Sequence, residues 1–203
     1  MVEVQTLSGF ENMKIDYENL LRSEKEGITS LRLYMWKEST LSIGYSQEPM
    51  EVSLPLVKRP TGGGALLHGL DLSFSYSGLR KSWGGTFTKI YKNFMGMLLE
   101  GLKGLEPSLE MSSYRGAYDG YFCYFYPTLG EITYRGKKLV ACAMRLGKEA
   151  FLIHGSLFLD LDYGLLSRLS HMPEESLRGR ITTFKEMGID KEEVLKVFKG
   201  FKI

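Results

Sequence analysis

Leu72-Ser73-Phe74-Ser75-Tyr76-Ser77 alternates strictly between a large apolar residue and a serine. A period of two puts the three apolar side chains on one face of an extended chain, which predicts a half-buried strand. Upstream, residues 29–37 repeat the pattern, with Leu31, Leu33 and Met35 opposite Arg32, Tyr34 and Trp36, and Leu41, Ile43 and Tyr45 alternate again. Downstream the period lengthens. Phe87, Ile90, Tyr91, Phe94, Leu98 and Leu102 share the face of one long helix. Residues 131–135 and 138–145 read as a strand pair turned near Gly136, and residues 151–161 as a further strand. At the start, residues 11–24 form a helix with Met13, Tyr17, Leu20 and Leu21 on one face, a stripe that stops at Glu24. At the end, Asp190 and Glu193 make a capping box ahead of Val194, Leu195 and Phe198, opening a last helix. Residues 171–187, with Pro173 and two arginines, are the expected irregular connection. The strands come in adjacent groups rather than alternating with helices, so the expected class is α+β and not a doubly wound sheet.

The chain has 203 residues, 43% of them hydrophobic, enough for one sizeable core and one domain over 1–203. Lys and Arg number 26 against 24 Asp and Glu, a balance that gives no support for a nucleic-acid surface. The opening MVEVQTLSGFENMKID has no basic segment followed by an apolar core, and no apolar run is long enough for a bilayer, so no signal peptide and no membrane association are expected. Two cysteines, Cys123 and Cys142, are too few for a disulfide framework or a zinc site. A reduced, cytoplasmic setting is the default expectation, with a single Cys123–Cys142 bridge the exception.

Three stretches carry unusual chemistry. In Arg59-Pro60-Thr61-Gly62-Gly63-Gly64-Ala65-Leu66-Leu67-His68, three consecutive glycines strip the side chains from a short arc of backbone. Its N–H groups can then approach a carbonyl, phosphate or thioester closely, with Arg59 as a fixed cation beside them. The same glycines also suit a plain hairpin turn. They are not a nucleotide P-loop, because no Gly-Lys-Ser/Thr follows and a strand rather than a helix comes next. Gly136-Lys137-Lys138-Leu139-Val140-Ala141-Cys142-Ala143-Met144-Arg145 is, alone, a basic turn leading into an apolar strand. His154-Gly155-Ser156-Leu157-Phe158-Leu159-Asp160 places one histidine in a strand, where a structural role is the ordinary one.

In this order the three stretches resemble the superfamily of lipoate-protein ligase A, octanoyltransferases and biotin-protein ligases. Its Arg-x-x-Gly-Gly-Gly-x-x-x-His loop is matched by Arg59, Gly62, Gly63, Gly64 and His68. Its Gly-x-Lys element, running into a small-residue strand, is matched by Gly136, Lys138, Ala143 and Arg145, and its His-Gly-Ser/Thr strand by His154 onward. Weaker similarity extends to Asn12, Met13 and Asp16 and to residues 41–47. The resemblance implies a mixed central β-sheet flanked by helices, with the glycine loop and Lys138 flanking a tunnel for an acyl chain. Arg59, Gly62, Gly63, Gly64, His68, Ala143 and His154 are implied to bind the acyl substrate, and Lys138 to face its carbonyl, where an ammonium stabilises an oxyanion. No metal site is implied.

One branch, the cysteine-dependent Bacillus-type octanoyltransferases, carries a cysteine upstream of the family lysine. Cys123 lies 13 residues before Gly136 and 15 before Lys138, in the frame Cys123, Pro127, Glu131, Gly136, Lys138. This match implies an octanoyltransferase in which Cys123 takes an octanoyl group from acyl carrier protein as a thioester. A lysine of a lipoyl domain of a 2-oxoacid dehydrogenase, or of the glycine-cleavage carrier protein, then receives it. Such a transferase needs no cofactor. The alternatives are an ATP- and magnesium-dependent lipoate ligase, a carrier-to-carrier amidotransferase and an inactive carrier-binding protein. A nearby ammonium is expected to raise the thiolate fraction of Cys123, about 3% at pH 7 for an unperturbed thiol. Tyr121, Phe122, Tyr124, Phe125 and Tyr126 surround the cysteine, so a buried small hydrophobe is the competing reading. Phe125 stands where an acidic residue is expected, and residues 141–144 replace a more usual Gly-Ser-Ala sequence. An accessory C-terminal domain like that of many ligases is not expected. His154 is a candidate general base, and His68 is expected to order the glycine loop.

Overall fold

The computed structural model describes residues 3–114 and 120–201. Met1 and Val2, where the reading of the N-terminus began, and the extreme ends of the 1–203 domain reading lie outside the described residues. The strands are β1 (Val4–Leu7), β2 (Ser30–Trp36), β3 (Thr40–Ile43), β4 (Leu56–Lys58), β5 (Leu66–His68), β6 (Leu72–Leu79), β7 (Leu109–Met111), β8 (Ile132–Tyr134), β9 (Lys137–Leu146) and β10 (Ala150–Leu157). The helices are α1 (Gly9–Glu26), α2 (Phe87–Lys103), α3 (Tyr163–Ser170), α4 (Glu174–Arg178) and α5 (Lys191–Lys199). Seven strands form a mixed sheet in the order β1-β2-β6-β10-β9-β8-β7. The edge pair β1 and β2 is parallel and the other pairs are antiparallel. A three-stranded sheet, β4-β3-β5, stands beside it. The fold is the expected α+β arrangement of a mixed sheet flanked by helices.

Local chemistry fixes the elements. Ser8 caps α1 with Glu11 in a capping box, and Gly27 closes it in the left-handed region. Asp190 and Glu193 cap α5 as the sequence predicts. Arg135 and Gly136, both at positive φ (51° and 75°), turn β8 into β9, the geometry of a tight two-residue hairpin. The apolar face of β6, with Phe74 and Tyr76, packs against Phe94 and Leu98 of α2 and Phe198 of α5 in the main core.

Four expectations are corrected. The serine face of β6 is buried too, because α1 lies across β6 and β10 on that side. Consequently the buried face of α1 is Asn12, Met13, Asp16, Leu20 and Ser23, while Tyr17 and Leu21 are 41% and 49% exposed. The polar residues turn inward because the serines and histidines beneath need partners. The strand expected over 151–161 pairs only as far as Leu157. Residues 171–187 contain α4 and a 3-10 turn (Lys185–Met187) rather than being wholly irregular, and the short α3, capped by Asp162, precedes them unforeseen. Cys123 and Cys142 are both free thiols. Among the described residues no helix is long and apolar enough to cross a membrane.

Asp16 is the hub of the interface between α1 and the sheet. It accepts from Arg32 Nη1 (2.6 Å), Ser75 Oγ (2.6 Å), Tyr34 Oη (2.9 Å) and His154 Nδ1 (3.1 Å). Replacing it by alanine strands Arg32, whose side chain is only 10% exposed. Asp16→Ala is expected to lower the free energy of unfolding by about 3–5 kcal/mol, read from urea denaturation at neutral pH.

Candidate active site

The glycine arc joins β4 to β5. Arg59 holds it from below by its carbonyls: Nη2 donates to Gly62 O (3.0 Å) and Gly64 O (2.8 Å), and Nη1 to Ser42 O (3.0 Å) and Oγ (2.8 Å). With the carbonyls engaged, no acceptor among the described residues takes the N–H of Gly62, Gly63 or Gly64. Gly63 sits at φ 92°, where a side chain is strained. Gly64 answers a different need. A Cβ there would lie 2.8 Å from the backbone nitrogen of Cys123, so the bare backbone is what lets the two segments meet. Ala65 N donates to Tyr121 O (2.7 Å) and Cys123 N to Ala65 O (3.0 Å). Gln47 adds a strut, accepting from Gly44 N (2.9 Å) and donating to Tyr121 O (2.8 Å).

Cys123 begins a 3-10 turn (Cys123–Phe125) and is 7% exposed. Lys138, in β9, is fully buried. Its ammonium donates to the backbone carbonyl of Cys123 and pairs with Glu131 Oε2 at 2.8 Å. Glu131 also accepts from Thr128 N (2.6 Å) and Cys142 N (3.3 Å). Burial pushes the Cys123 thiol up; Lys138 and Arg59 pull it down and Glu131 pushes it up again. Lys138 therefore acts with the expected sign, but burial outweighs it and the resting thiol stays protonated.

Each flanking histidine bridges a carboxylate and a hydroxyl. His68 Nδ1 meets Asp71 Oδ2 at 2.8 Å and its Nε2 meets Ser42 Oγ at 2.8 Å, with the ring stacked on Trp36 at 3.8 Å. Ser42 in turn takes Arg59 Nη1, so His68 reaches the glycine arc through two intermediaries. His154 Nδ1 meets Asp16, and its Nε2 meets Thr61 Oγ1 at 2.6 Å, at the head of the arc. Both ring nitrogens of His154 are thus engaged by protein partners, and the residue lines the cavity. Burial pushes His68 below its usual range, against the pull of Asp71. Burial also pushes the Asp71 carboxyl up, but His68, Ser156 and Gly69 N together outweigh it and hold it low.

A cavity of about 750 Å³ runs past these groups, within the size range of small-molecule sites, about 300–1,000 Å³. Met13, Tyr34, Trp36, Tyr91, Met111 and Leu129 are among the residues that line it. The wall also holds Arg59, Gly62, Gly63, Gly64, His68, Cys123, Ala143 and His154. Of the residues expected from sequence, Lys138 is the one outside that wall; Glu131 stands in it. Asp71 is a residue beside the site that sequence reading passed over, and Glu131, Ser42 and Thr61 stood in the quoted stretches without a role assigned to them. Folding the β8–β9 hairpin about its two-residue turn sets Thr133 opposite Lys138 and so brings Glu131 within reach, a signal that was available.

Two outcomes are expected. Gly64→Ala pushes the Cys123 segment off the arc; the variant should stay folded by circular dichroism yet lose more than about tenfold in Cys123 alkylation by an octyl-chain thiol reagent. The second concerns acid. Unfolded histidine takes up a proton near pH 6.5, but His68 in the fold does so only at lower pH. Its contribution to stability is therefore full above about pH 6.5 and is lost as pH falls towards the folded value. Urea midpoints at pH 7.5 and 5.5 should differ less in His68→Gln than in the wild type.

The sequence model of the lipoyl protein ligase A/B catalytic domain matches residues 8–199. Octanoyltransferase LipM of Brevibacillus brevis is 32% identical over 215 residues, covering 95% of this chain and 78% of that protein. Octanoyltransferase LipM of Bacillus subtilis is 30% identical over 208 residues, covering 91% and 74%. Among solved structures, a lipoate-protein ligase A bound with ATP is similar at a TM-score of 0.75 and 21% identity, covering 96% of this chain and 81% of that one. The bipartite lipoate protein ligase of Thermoplasma acidophilum is similar at 0.72 and 21%, covering 98% and 80%. At those identities the two structures speak for the fold alone. The extent of the sequence match goes further: this chain belongs to the lipoyl protein ligase A/B catalytic domain family.

Proposed function

We propose that the chain is a cytoplasmic acyltransferase, working as one catalytic domain, that moves an octanoyl group from acyl carrier protein to a lysine of a lipoyl domain through a thioester on Cys123. The observation that carries this reading is the position of Cys123. It is held in the wall of the apolar cavity, against a glycine arc whose N–H groups have no protein acceptor among the described residues. The two relatives described above are named as octanoyltransferases.

The sulfur of Cys123 attacks the donor carbonyl as its proton leaves; the C–S bond to the carrier breaks and the carrier thiol takes up the proton. The amine of the acceptor lysine then attacks the enzyme thioester. A C–N bond forms, the C–S bond to Cys123 breaks, and the thiol regains a proton. Charge develops on the carbonyl oxygen in both steps, and the free N–H groups of the arc are suited to receive it. Arg59 fixes the arc beforehand, so little reorganisation accompanies the step. The surrounding aromatic residues keep water from the thioester. The donor is already activated, so the reading requires no cofactor, neither ATP nor magnesium.

Mixing the chain with octanoyl-acyl carrier protein alone should add one octanoyl group, removable by hydroxylamine and located on the peptide spanning residues 121–126. Cys123→Ser should lose transfer to a lipoyl domain by at least about a hundredfold, because a serine hydroxyl is not activated by a nearby ammonium alone. Octanoate- or lipoate-dependent exchange of pyrophosphate into ATP by the purified chain would make the ligase the better answer.

A further inference from the structure

We propose that Glu131 is a positioning residue for the Cys123 thiol: by pairing with Lys138 it holds the ammonium on the Cys123 backbone carbonyl and neutralises its charge there. The geometry supplies the argument. Lys138 is fully buried and Glu131 is 2% exposed. A buried ammonium needs a counter-ion, and removing one partner leaves the other uncompensated. Glu131 is gripped from two sides, by Thr128 N from the segment that follows the Cys123 turn and by Cys142 N from β9. Its carboxylate thus has a fixed place, and Lys138, bridging it to the Cys123 carbonyl, takes its position from it. Three charged groups act on the thiol: Lys138, Arg59 and Glu131. Arg59 is committed to Ser42 and the arc carbonyls. Burial sets the thiol high, and the balance between Lys138 and Glu131 is the charge contribution that a substitution can change.

That this thiol carries the acyl group rests on the octanoyl-transfer reading, but its ionisation can be measured without any acyl donor. Alkylation of Cys123 by iodoacetamide, followed on the peptide spanning residues 121–126 across pH 6–10, gives the titration midpoint. Glu131→Gln removes the negative charge at constant shape. The expected result is a midpoint lower by about one unit and alkylation about tenfold faster at neutral pH. Glu131→Asp, which keeps the charge, should restore the wild-type midpoint. In Glu131→Gln combined with Lys138→Met the neutral balance returns, and the midpoint should return with it. A folded Glu131→Gln chain with an unmoved or raised midpoint overturns the proposal. So does a double variant that keeps the drop, since Glu131 would then act on the thiol directly. Should Glu131→Gln fail to fold, Lys138→Met alone carries the test, with a raised midpoint expected and an unmoved one fatal. A shifted midpoint in a wild-type chain that never accepts an octanoyl group would instead refute the transfer reading and leave the role of Glu131 standing.

Discussion

A sheet covered by helices on both faces has to find partners for the polar side chains it buries, and here two carboxylates answer for several of them, though not for Ser77. On the α1 side, Asp16 collects Arg32, Tyr34, Ser75 and His154. Asp71 collects His68, Ser73, Ser156 and the backbone of Gly69. Each carboxylate orients a histidine, each histidine a hydroxyl, and the two hydroxyls, Thr61 and Ser42, meet the glycine arc at its head and at Arg59. The arc in turn seats Cys123 through the Ala65 backbone. Polar burial that looks costly in isolation is thereby converted into the rigidity of the backbone that lines the cavity.

The second half of the site is built on the opposite logic. Where the histidines pass hydrogen bonds between neutral groups and carboxylates, Lys138 and Glu131 form a closed ion pair next to a thiol. Such a pair contributes little net stability, so its value lies in placing charge. The family lysine is behind the wall of the acyl cavity and the glutamate is in it. The cavity wall beside Cys123 therefore carries a carboxylate that is already engaged by Lys138, Thr128 N and Cys142 N.

Much of this was legible beforehand, for physical reasons that differ by residue. The alternation over residues 72–77 is a strand because no other backbone shape puts three large side chains on one face. It could not disclose that the serine face is also buried, since hydroxyls suit water and a satisfied interior equally. For the same reason the buried face of the first helix is only half legible: Met13 and Leu20 lie on it, and Tyr17 and Leu21 do not. Tyr17 and Leu21 have the hydrophobicity, but Asn12 and Asp16 have the partners. The glycines, Arg59, Cys123 and both histidines were readable because family motifs quote them. Glu131, Thr61, Ser42 and Asp71 act only through others, and pairings such as Thr61 with His154 span 93 residues that no local pattern connects.

Those separations also set an order of assembly. Glu131 and Lys138 lie on consecutive strands joined by a two-residue turn, so their pairing closes a short loop. The contact of Asp16 with His154 closes one of 138 residues. Loop-closure entropy makes the first contact available early and the second only once the sheet has been gathered. The ion pair is then in place before Ala65 arrives to seat Cys123. In the refolding of the full-length chain, the two charged neighbours of Cys123 accordingly meet before the cavity beside it is complete.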